Sequence, residues 1–231
     1  MLDFTFFEQL QTLYETLDDE QFEVILKSSY PYQKLIAEHE CALLEVETKL
    51  KVLNVEFSVR KEGNPIESIK SRIKTPISLI SKLKRRGIAL TKKDIEENIF
   101  DIAGIRVICH FVDDVYSIIE SLKAQYDLKI FEEKDYIKNP KPNGYRSYHL
   151  IVEIPIFLYE KMIYRKVEIQ FRTIGMDFWA TIEHKIRYKK DIDNTEKIQE
   201  LLLECAKLSA NLDDKMRNVK NLITQQKRLW L

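Results

Sequence analysis

Several features are scarce in this sequence, and each absence narrows what the protein can be. Among its 231 residues there are three cysteines, Cys41, Cys109 and Cys205, which lie far apart and form no CxxC pair. A disulfide framework or a zinc site is therefore not expected, and a reduced, cytoplasmic protein is the simplest prediction. Charges interrupt every apolar segment, so no stretch predicts a membrane span. The first residues also lack the pattern of a secretory signal.

Excess charge and the common nucleotide-binding motifs are missing as well. Lys+Arg and Asp+Glu both number 37, which gives a formal net charge of zero. General nucleic-acid binders carry a basic excess, so RNA binding is not indicated and any site for a polyanion must be local. No GxxxxGK[ST] or GxGxxG motif occurs, and no histidine is followed by aspartate. P-loop, Rossmann and His-Asp hydrolase assignments are thereby disfavoured.

Two apolar stripes at helical spacing predict long helices near the two ends of the chain. The first stripe, predicted to end at Asn54, comprises Tyr32, Ile36, His39, Leu43, Val46, Leu50 and Leu53. The second, which begins at Thr195, comprises Ile198, Leu201, Cys205, Leu208, Leu212, Val219 and Leu222. At about 1.5 Å per residue the second helix would be roughly 50 Å long, more than one small sheet can cover. We expect it to pack along the first helical segment and against another subunit.

The remaining sequence predicts strands and short helices. Short amphipathic helices are expected over residues 2 to 27, with a helix start at Asp18-Asp19-Glu20. Strands are predicted over residues 56 to 60, 101 to 111, 127 to 133, 145 to 155 and 165 to 173, and helices over 75 to 87, 94 to 98, 113 to 122 and 174 to 190. The order predicts an α/β (α+β) fold with a mixed central sheet. Its parts are a helical segment at residues 1–54, a core domain at 55–190 and a long helix at 191–231.

Some positions within these helices receive specific predictions. Thr75 is a predicted N-cap followed by Pro76, and Gly87 is the predicted C-terminal residue in a left-handed conformation. Asp113 or Asp114 is expected to cap the next long helix. The residues predicted to face the core are Ile73, Ile77, Ile80 and Leu83 in one helix, and Phe178, Ile182 and Ile186 in another.

The first candidate site is a polar stripe near the start of the helix at residues 75 to 87. Lys74, Ser78, Lys82 and Arg85 follow one another at helical spacing, with Arg72 at the same end. Helix N-termini favour anions, so this stripe predicts a phosphate site. A solvated basic face is the alternative, and it is commoner among helices in general.

The second candidate site is a turn rich in lysine. Pro142 and Asn143-Gly144 predict a sharp turn. Basic side chains surround it, namely Lys134, Lys138, Lys141 and Arg146, and Tyr145 follows directly. Cations beside an aromatic ring suit a nucleoside polyphosphate. On this stretch alone, a solvated hairpin loop fits equally well.

Two carboxylates complete the candidate site. Asp101 opens one predicted strand, and Glu168 lies on another whose polar face also carries Lys166, Gln170 and Arg172. Such carboxylates suit Mg²⁺, and Glu168 suits a general base. Two groups of cations imply a phosphorylated donor and a phosphorylated acceptor, so phosphoryl transfer is favoured. The alternatives are a solvent-facing sheet, a non-catalytic module that binds nucleotide or RNA, and a helical scaffold protein.

Several motifs resemble the synthetase domain of RelA/SpoT-type alarmone enzymes. They comprise Arg72-Ile73-Lys74 with Ser78 and Lys82, Asp101-Ile102-Ala103-Gly104-Ile105-Arg106, the run from Tyr136 through Asn143-Gly144-Tyr145-Arg146-Ser147 to His149, Val167-Glu168-Ile169-Gln170-Phe171-Arg172-Thr173, and Phe178-Trp179-Ala180 with Glu183-His184-Lys185. The resemblance covers roughly residues 55 to 190, in the order of the family. The long enzymes add a His-Asp hydrolase domain and regulatory domains. A chain of this length is similar to the small alarmone synthetases of the RelP or RelQ type.

The resemblance implies a nucleotidyltransferase-like sheet and a pyrophosphokinase that uses Mg²⁺. The β,γ-pyrophosphate of ATP would move to the 3′-hydroxyl of GTP or GDP, which gives (p)ppGpp and AMP. Asp101 and Glu168 would hold the metal, and Glu168 would activate the hydroxyl. The implied ATP-binding residues are Arg72, Lys74, Ser78, Lys82, Arg85 and Arg106. The implied GTP/GDP-binding residues are Lys134, Lys141, Tyr145, His149, Gln170, Asp177 and Glu183. A cytoplasmic homotetramer joined by the flanking helices is also implied.

Overall fold

The computed structural model describes residues 18–60, 63–89, 91–187 and 195–228. Its helices are α1 (Asp19–Ser28), α2 (Tyr30–Arg60), α3 (Pro76–Arg86), α4 (Lys92–Asn98), α5 (Val112–Lys123), α6 (Ile174–Arg187) and α7 (Thr195–Arg228). Its strands are β1 (Ile66–Ile73), β2 (Ala103–Cys109), β3 (Lys129–Asp135), β4 (Tyr148–Phe157) and β5 (Met162–Thr173). The expected helices within residues 2 to 17 lie outside the described residues.

The strands form one mixed sheet in the order β1-β2-β5-β4-β3. The central pair, β2 and β5, is parallel, and the other three pairs are antiparallel. The predicted fold class is therefore confirmed. Because β2 and β5 run side by side in the same direction, Asp101 and Glu168 are brought towards the same end of the central pair.

One face of the sheet, the covered face, packs against α2 and α5. Val107, Leu150, Val167, Ile169 and Phe171 on this face are buried, as the alternating pattern of β5 predicts. A second apolar cluster joins α1, α3 and α4 to the start of α2 and includes Leu26, Leu79 and Ile95. These two clusters fix the positions of α3 and of the segment before β2, both of which carry candidate site residues.

The local rules for helix ends succeed at α1 and α3. Asp18 caps α1 by accepting a hydrogen bond from the N–H of Gln21. Thr75 caps α3 by accepting from the N–H of Ser78, Pro76 occupies the first turn, and Gly87 ends the helix with a φ of 64°. In α5 the predicted cap is wrong: Phe111 occupies the N-cap, and Asp114 accepts from its N–H. Asp114 thus acts from the first turn, where a carboxylate is favourable. In α3, Ile77 is exposed rather than in the core.

Helix α2 is longer than predicted. It continues through Arg60, so the predicted end at Asn54 and the predicted strand at 56 to 60 are wrong. The side chain of Asn54 stays within the helix and accepts a hydrogen bond from the N–H of Ile66, at the start of β1. Val55 and Val59 are exposed on the last turns, so their β-branched character reflects neither a strand nor a core position in the described chain.

The loop between β3 and β4 is also longer than predicted. Strand β3 continues to Asp135, and β4 begins at Tyr148 instead of Tyr145. Tyr145 therefore lies in the loop. The side chain of Ser147 points into the core, where its hydroxyl donates to the carbonyl of Phe171 at 3.0 Å. Tyr145, Ser147 and His149 therefore do not share one face of a strand.

The two C-terminal helices pack on each other. Trp179 and Ala180 of α6 are buried against Ala206 of α7, whereas Phe178 and Ile182 are exposed, so the predicted core side of α6 is wrong. Helix α7 has the predicted length, but its main packing partner is α6 instead of α2. Most of the predicted apolar stripe of α7 stays exposed, including Leu208, Leu212 and Leu222. None of the helices in the described part of the chain is long and apolar enough to cross a membrane.

Candidate active site

Polar side chains line the uncovered face of the sheet, which we call the cleft face. The strand register puts Lys134, His149, Gln170, Arg106 and Lys70 side by side in one row across all five strands. A second row, one step along, contains Glu168, Gly104 and Arg72. Side chains opposite one another on paired strands share a face, so residues from distant parts of the sequence meet here. The polar face predicted for β5 therefore lines a cleft.

Asp101 lies at one end of this cleft between two lysines. Lys74 donates to its Oδ2 at 3.0 Å, and Lys82 donates to its Oδ1 at 2.7 Å. Burial acts to raise the pKa of the Asp101 carboxyl, but the two ammonium groups hold it below its ordinary value. Because α3 begins at Thr75 and Pro76, the side chain of Lys82 on this helix reaches Asp101. Two members of the predicted basic stripe are thus joined to a predicted carboxylate.

Glu168 lies further along the cleft face with different partners. Nδ1 of His149 is 3.2 Å from its Oε1, and Nε2 of Gln170 donates to its Oε2 at 3.0 Å. Burial acts to raise the pKa of the Glu168 carboxyl. The hydrogen bond and charge of His149, together with the Gln170 hydrogen bond, hold that pKa below its ordinary value. A carboxylate in this setting stays ionised and keeps oxygen lone pairs directed at the cleft.

The lysine-rich loop contributes a cluster of rings and one cation. Lys141 Nζ lies 4.6 Å from the centre of the Tyr136 ring and 4.9 Å from the centre of the Tyr145 ring. The Tyr145 hydroxyl lies 2.8 Å from Nε2 of His149. The loop thus places an aromatic ring and an ammonium group directly beside the partner of Glu168.

Arg172 joins the groups at the other end of β5. It donates to the Tyr145 hydroxyl oxygen at 2.9 Å, to Oε1 of Gln170 at 3.0 Å and to Oδ1 of Asp177 at 2.9 Å. Asp177 also pairs with Arg106 at 3.2 Å. Burial and the charges of Arg172 and Arg72 act to lower the pKa of the Arg106 guanidinium, and Asp177 opposes them. Two arginines on one carboxylate, with the charge of Arg72 acting on one of them, leave this part of the cleft with positive charge to offer an anion.

Other predicted residues lie nearer to solvent. The Ser78 hydroxyl accepts from the Thr75 hydroxyl at 2.8 Å at the start of α3, and Arg85 is exposed in the last turn of that helix. Lys134 shares the row of His149, and its ammonium group pairs with Glu132 at 2.7 Å. Glu183 of α6 accepts from the side chain of Asn143 at 3.2 Å. These residues border the cleft without forming part of the hydrogen-bonded groups around Asp101 and Glu168.

Helix α7 supports the loop from behind. Gly144 has a φ of 89°, and a Cβ added there would lie 2.5 Å from the Cβ of Ala206. Asp213 accepts from the Thr173 hydroxyl at 2.9 Å and pairs with Arg146 at 3.5 Å. The loop therefore fits closely against α7, which the sequence predicted only as a packing or oligomerisation helix.

Two contributors were not among the predicted site residues. Lys70 lies next to Arg106 in the row across the sheet, and Arg172 contacts three other site residues. The alternation of β5 placed Arg172 on the polar face. Its partners come from a loop and a helix, and nothing in the periodicity identifies them. Lys70 carries no sequence signal beyond its position two residues before Arg72.

The carboxylates suit a magnesium ion better than a metal that needs a full set of protein ligands. In the described residues no group of three or more His, Cys, Asp or Glu side chains could hold a metal. Asp101 lies close enough to Glu168 for its charge to oppose the ionisation of Glu168. Mg²⁺ takes one or two carboxylates and completes its shell with water and substrate phosphates. Asp101 and Glu168 are the residues that fit this role.

Comparison with known proteins agrees with this geometry. The model of the region found in RelA / SpoT proteins matches residues 71–193, more than half of the chain. The chain is 46% identical over 182 residues to the GTP pyrophosphokinase YwaC of Bacillus subtilis (strain 168), a match that covers 79% of this chain and 87% of YwaC. It is 34% identical over 209 residues to the GTP pyrophosphokinase YjbM of the same strain, covering 90% of this chain and 93% of YjbM.

Solved structures give the same result. The small alarmone synthetase 1 from Bacillus subtilis bound to its product pppGpp superposes with a TM-score of 0.76 at 33% identity, covering 84% of this chain and 99% of that one. The small alarmone synthetase 2 from Bacillus subtilis gives a TM-score of 0.73 at 44% identity, covering 80% and 97%. The fold and cleft define a nucleotide-handling α+β domain. The chain belongs to the RelA/SpoT family, and its length and fold are similar to those of the small alarmone synthetases.

Proposed function

We propose that this chain is a GTP/GDP pyrophosphokinase, an ATP:GTP 3′-diphosphotransferase of the stringent response. It transfers the β,γ-pyrophosphate of ATP to the 3′-hydroxyl of GTP or GDP and releases (p)ppGpp and AMP. The observation that carries this proposal is the joint presence, on one face of the sheet, of two ionised carboxylates and two separate groups of cations. The GTP pyrophosphokinases YwaC and YjbM support it as relatives.

Glu168 is the proposed general base. The 3′-oxygen of the acceptor attacks the β-phosphorus of ATP, the bond from that phosphorus to the α,β-bridging oxygen breaks, and AMP leaves with the bridging oxygen. The proton of the 3′-hydroxyl passes to Glu168. His149 and Gln170 hold Glu168, and no lysine or arginine of the described residues pairs with it, so the carboxylate keeps a lone pair for this proton.

ATP is assigned to the side of the cleft that contains α3. Arg72 and Arg106, which line one pocket together with Gly104, would hold the adenine between their planar guanidinium groups. The proposed phosphate ligands are Lys74, Ser78, Lys82 and Arg85. Lys74 and Lys82 each have further N–H donors beyond the one given to Asp101, and an ammonium group binds phosphate as a point charge.

GTP or GDP is assigned to the side that contains the lysine-rich loop. Tyr145 would stack on guanine, and Lys141 beside it would bind acceptor phosphates. Lys134, His149, Gln170, Asp177 and Glu183 complete the proposed acceptor site. A structure of small alarmone synthetase 1 bound to pppGpp and another bound to AMPCPP support one site of each kind in a relative of this chain.

Magnesium is the proposed cofactor, held by Asp101 and Glu168. When bound, it would neutralise charge on the transferred phosphoryl groups. Lys74 and Lys82 on Asp101 keep that carboxylate ionised, which a metal ligand requires.

The flanking helices are proposed to join copies of the chain into a homotetramer in the cytoplasm, where ATP and GTP are held. We also propose that the chain has three parts, namely a synthetase domain at residues 55–190 and helical segments at 1–54 and 191–231. Exposed apolar side chains on α7, including Leu208, Leu212 and Val219, support this proposal. Sedimentation of the purified protein gives the subunit number.

The test of function is an assay with purified protein, ATP, GTP and Mg²⁺, with GDP in a parallel reaction. Appearance of AMP together with a guanosine pentaphosphate is expected, and an excess of chelator should stop it. Failure of the wild-type protein to form either product would contradict the proposed activity. An RNA-binding module would instead bind RNA in a salt-sensitive manner with no nucleotide product.

The assignment of the loop to the acceptor is tested by Tyr145→Ala. Loss of the stacking ring should raise KM for GTP roughly 10- to 100-fold, because stacking on an aromatic side chain is worth about 1–3 kcal/mol per base. KM for ATP should change little. Tyr126→Ala is the matched control, since that tyrosine is fully exposed away from the cleft. An equal rise in both KM values would place the loop at ATP or at both nucleotides.

A further inference from the structure

Arg172 is a buried guanidinium that the proposed chemistry does not use. It is 5% exposed and follows Glu168 and Gln170 on the polar face of β5. Its Nη1 donates to Asp177, and its Nη2 donates both to the Tyr145 hydroxyl oxygen and to Oε1 of Gln170. A buried charge is costly unless it is paired and hydrogen-bonded. Here the partners are all residues of the candidate active site.

The contact with Gln170 determines which way its amide points. The guanidinium can only donate, so the group of Gln170 that faces it must be the carbonyl oxygen. The amide nitrogen is then directed at Oε2 of Glu168, to which it donates at 3.0 Å. The reversed amide would set two donors against each other at one end and two acceptors at the other. Arg172 therefore fixes a donor on one oxygen of Glu168.

The contact with Tyr145 acts on the other oxygen. The carboxylate of Glu168 can only accept, so Nδ1 of His149 carries a proton and donates it to Oε1. The Tyr145 hydroxyl oxygen lies 2.8 Å from Nε2 and accepts a hydrogen bond from Arg172. These contacts form one continuous chain of hydrogen bonds. It runs from Arg172 through Tyr145 and His149 to Oε1 of Glu168.

We propose that Arg172 is a positioning residue for the pyrophosphate transfer: through Gln170 and through Tyr145 and His149, a single guanidinium nitrogen orients the donors on both oxygens of Glu168. This inference rests on the proposed function of Glu168 as the base. The contacts form a closed ring, so Glu168 is held in one orientation, and no lysine or arginine of the described residues forms an ion pair with it. Nη1 ties the same side chain to Asp177, which also holds Arg106.

The geometry explains why arginine is required. Nη1 and Nη2 lie in one plane and donate to three different acceptors, which an ammonium group at the end of a flexible stem does not reproduce. Arg172→Lys keeps the charge and loses the fork, and Arg172→Gln loses both. Both variants should lower kcat with saturating ATP and GTP roughly 10- to 100-fold, as is typical when groups that orient a catalytic ligand are removed. KM for ATP should change much less.

Arg217→Gln is the matched control. Arg217 lies on α7, pairs with Asp113 and Asp214, and is 37% exposed. Its replacement should leave kcat and KM unchanged. A kcat for Arg172→Gln equal to that of Arg217→Gln, in a protein that forms product, would overturn the inference and leave the proposed function intact.

A double-mutant cycle separates positioning from general damage to the fold. Tyr145→Phe removes the hydroxyl and keeps the stacking ring. If Arg172 acts through that hydroxyl, the loss of kcat in Arg172→Gln combined with Tyr145→Phe should be clearly smaller than the product of the two single losses. Fully multiplicative losses would overturn the route through Tyr145.

The ¹⁵N spectrum of His149 gives a readout that needs no catalysis. In the wild-type protein Nδ1 should be protonated, and the Nε2 resonance should report the contact with the Tyr145 hydroxyl. The Nε2 resonance should move in Tyr145→Phe and in Arg172→Gln, and stay in Arg217→Gln. If Arg172→Gln does not fold, Arg172→Lys and Tyr145→Phe carry the same test. A fixed Nε2 resonance in all variants would overturn the inference even if the wild-type protein is an active synthetase.

Discussion

Buried titratable groups on the two sides of the sheet differ in charge. On the covered side, His39 of α2 is 5% exposed, and burial lowers its pKa to about 4, with the hydrogen bond to the Leu35 carbonyl acting against this. His39 is therefore neutral at physiological pH. On the cleft face, burial acts against the ionisation of Glu168 too, yet the hydrogen bonds and charge around that carboxyl hold its pKa below the ordinary value. Both groups are buried, yet His39 is uncharged and Glu168 is ionised.

The difference shows what determines charge inside this protein. Desolvation disfavours the charged form everywhere, and only a donor or an opposite charge at hydrogen-bond distance reverses it. His39 faces a carbonyl and the nearby charge of Arg165. Glu168 has a donor on each oxygen, and Asp101 has a lysine on each oxygen. The cleft face thus keeps two carboxylates ionised in a partly buried setting, which a metal site and a general base both need.

The substitution Glu168→Gln changes only the cleft face, and its effect on kcat should be the largest of those predicted here. The variant loses the proposed base, and its amide nitrogen meets either Nδ1–H of His149 or the amide of Gln170 as a second donor. General acid–base catalysis contributes about 100- to 10,000-fold, so kcat should fall by that factor. Product formation by a quenched assay and ATP binding by calorimetry give the two measurements. ATP binding should persist.

Glu153→Gln is the control for that variant. Glu153 lies on the same face of β4, one step along from the position opposite Glu168, and pairs with Lys129 at 3.8 Å. Its kcat should equal the wild-type value. Equal rates in Glu168→Gln and Glu153→Gln would show that the cleft carboxylate is not the base.

The sequence was sufficient for elements whose signals are local. Thr75, Pro76 and Gly87 define α3 because caps and left-handed residues act within one turn. The alternation of β5 correctly separates Phe171 from Arg172. The chemical types of Asp101 and Glu168 also led to their prediction as the carboxylates of the site, and their roles stay a prediction.

The sequence could not predict which strands pair with one another and in which register. The row from Lys134 to Lys70 depends on which strands pair and in which direction, and that is settled by packing over the whole sheet. The face of α6 was misassigned because periodicity identifies an apolar stripe without saying which stripe a neighbour will cover. There Trp179 is covered by α7, and Phe178 is exposed. The role of Arg172 depends on a loop residue and a helix residue that no spacing rule connects.

Gly144→Ala tests how the edge of the cleft face is held, and it should have the next largest effect. An L-residue in the left-handed region costs about 1–2 kcal/mol. Overpacking against Ala206 and Leu203 adds about 1–3 kcal/mol, since the new Cβ would lie 2.5 Å and 3.2 Å from their side-chain atoms. The free energy of unfolding should fall by about 2–5 kcal/mol, and KM for GTP should rise as the loop or α7 moves. Urea denaturation and steady-state kinetics measure the two effects.

Gly87→Ala separates the two contributions. Gly87 also has positive φ, 64°, but an added Cβ would meet nothing within 4 Å. This control should lose only the cost of the left-handed conformation, about 1–2 kcal/mol, with KM for GTP unchanged. If Gly144→Ala matched Gly87→Ala in both measurements, the contact between α7 and the loop would not be what shapes the acceptor side.

His39→Gln acts on the covered side and should have the smallest effect, visible only as a dependence on pH. The folded pKa of about 4 lies below the unfolded value of 6.5, so between them the unfolded chain binds a proton that the folded chain does not. Wild-type stability should therefore fall as the pH is lowered through that window. One pKa unit corresponds to about 1.4 kcal/mol, so the loss between pH 7.5 and pH 5 is about 2 kcal/mol. In His39→Gln this part of the pH dependence should disappear.

Urea denaturation of the wild-type protein and of His39→Gln, each at pH 7.5 and pH 5, measures this pH dependence. The difference between the two proteins isolates the contribution of His39 from that of other groups. The lowered pKa values of Asp101 and Glu168 do not interfere, because carboxyls whose pKa is depressed by folding lose their contribution only at more acidic pH. His110→Gln is the control, since that ring lies at the surface beside Glu67. An unchanged pH dependence in His39→Gln would mean that His39 accepts a proton in the folded state. Burial would then not remove charge on the covered side, and the contrast between the two faces would be lost.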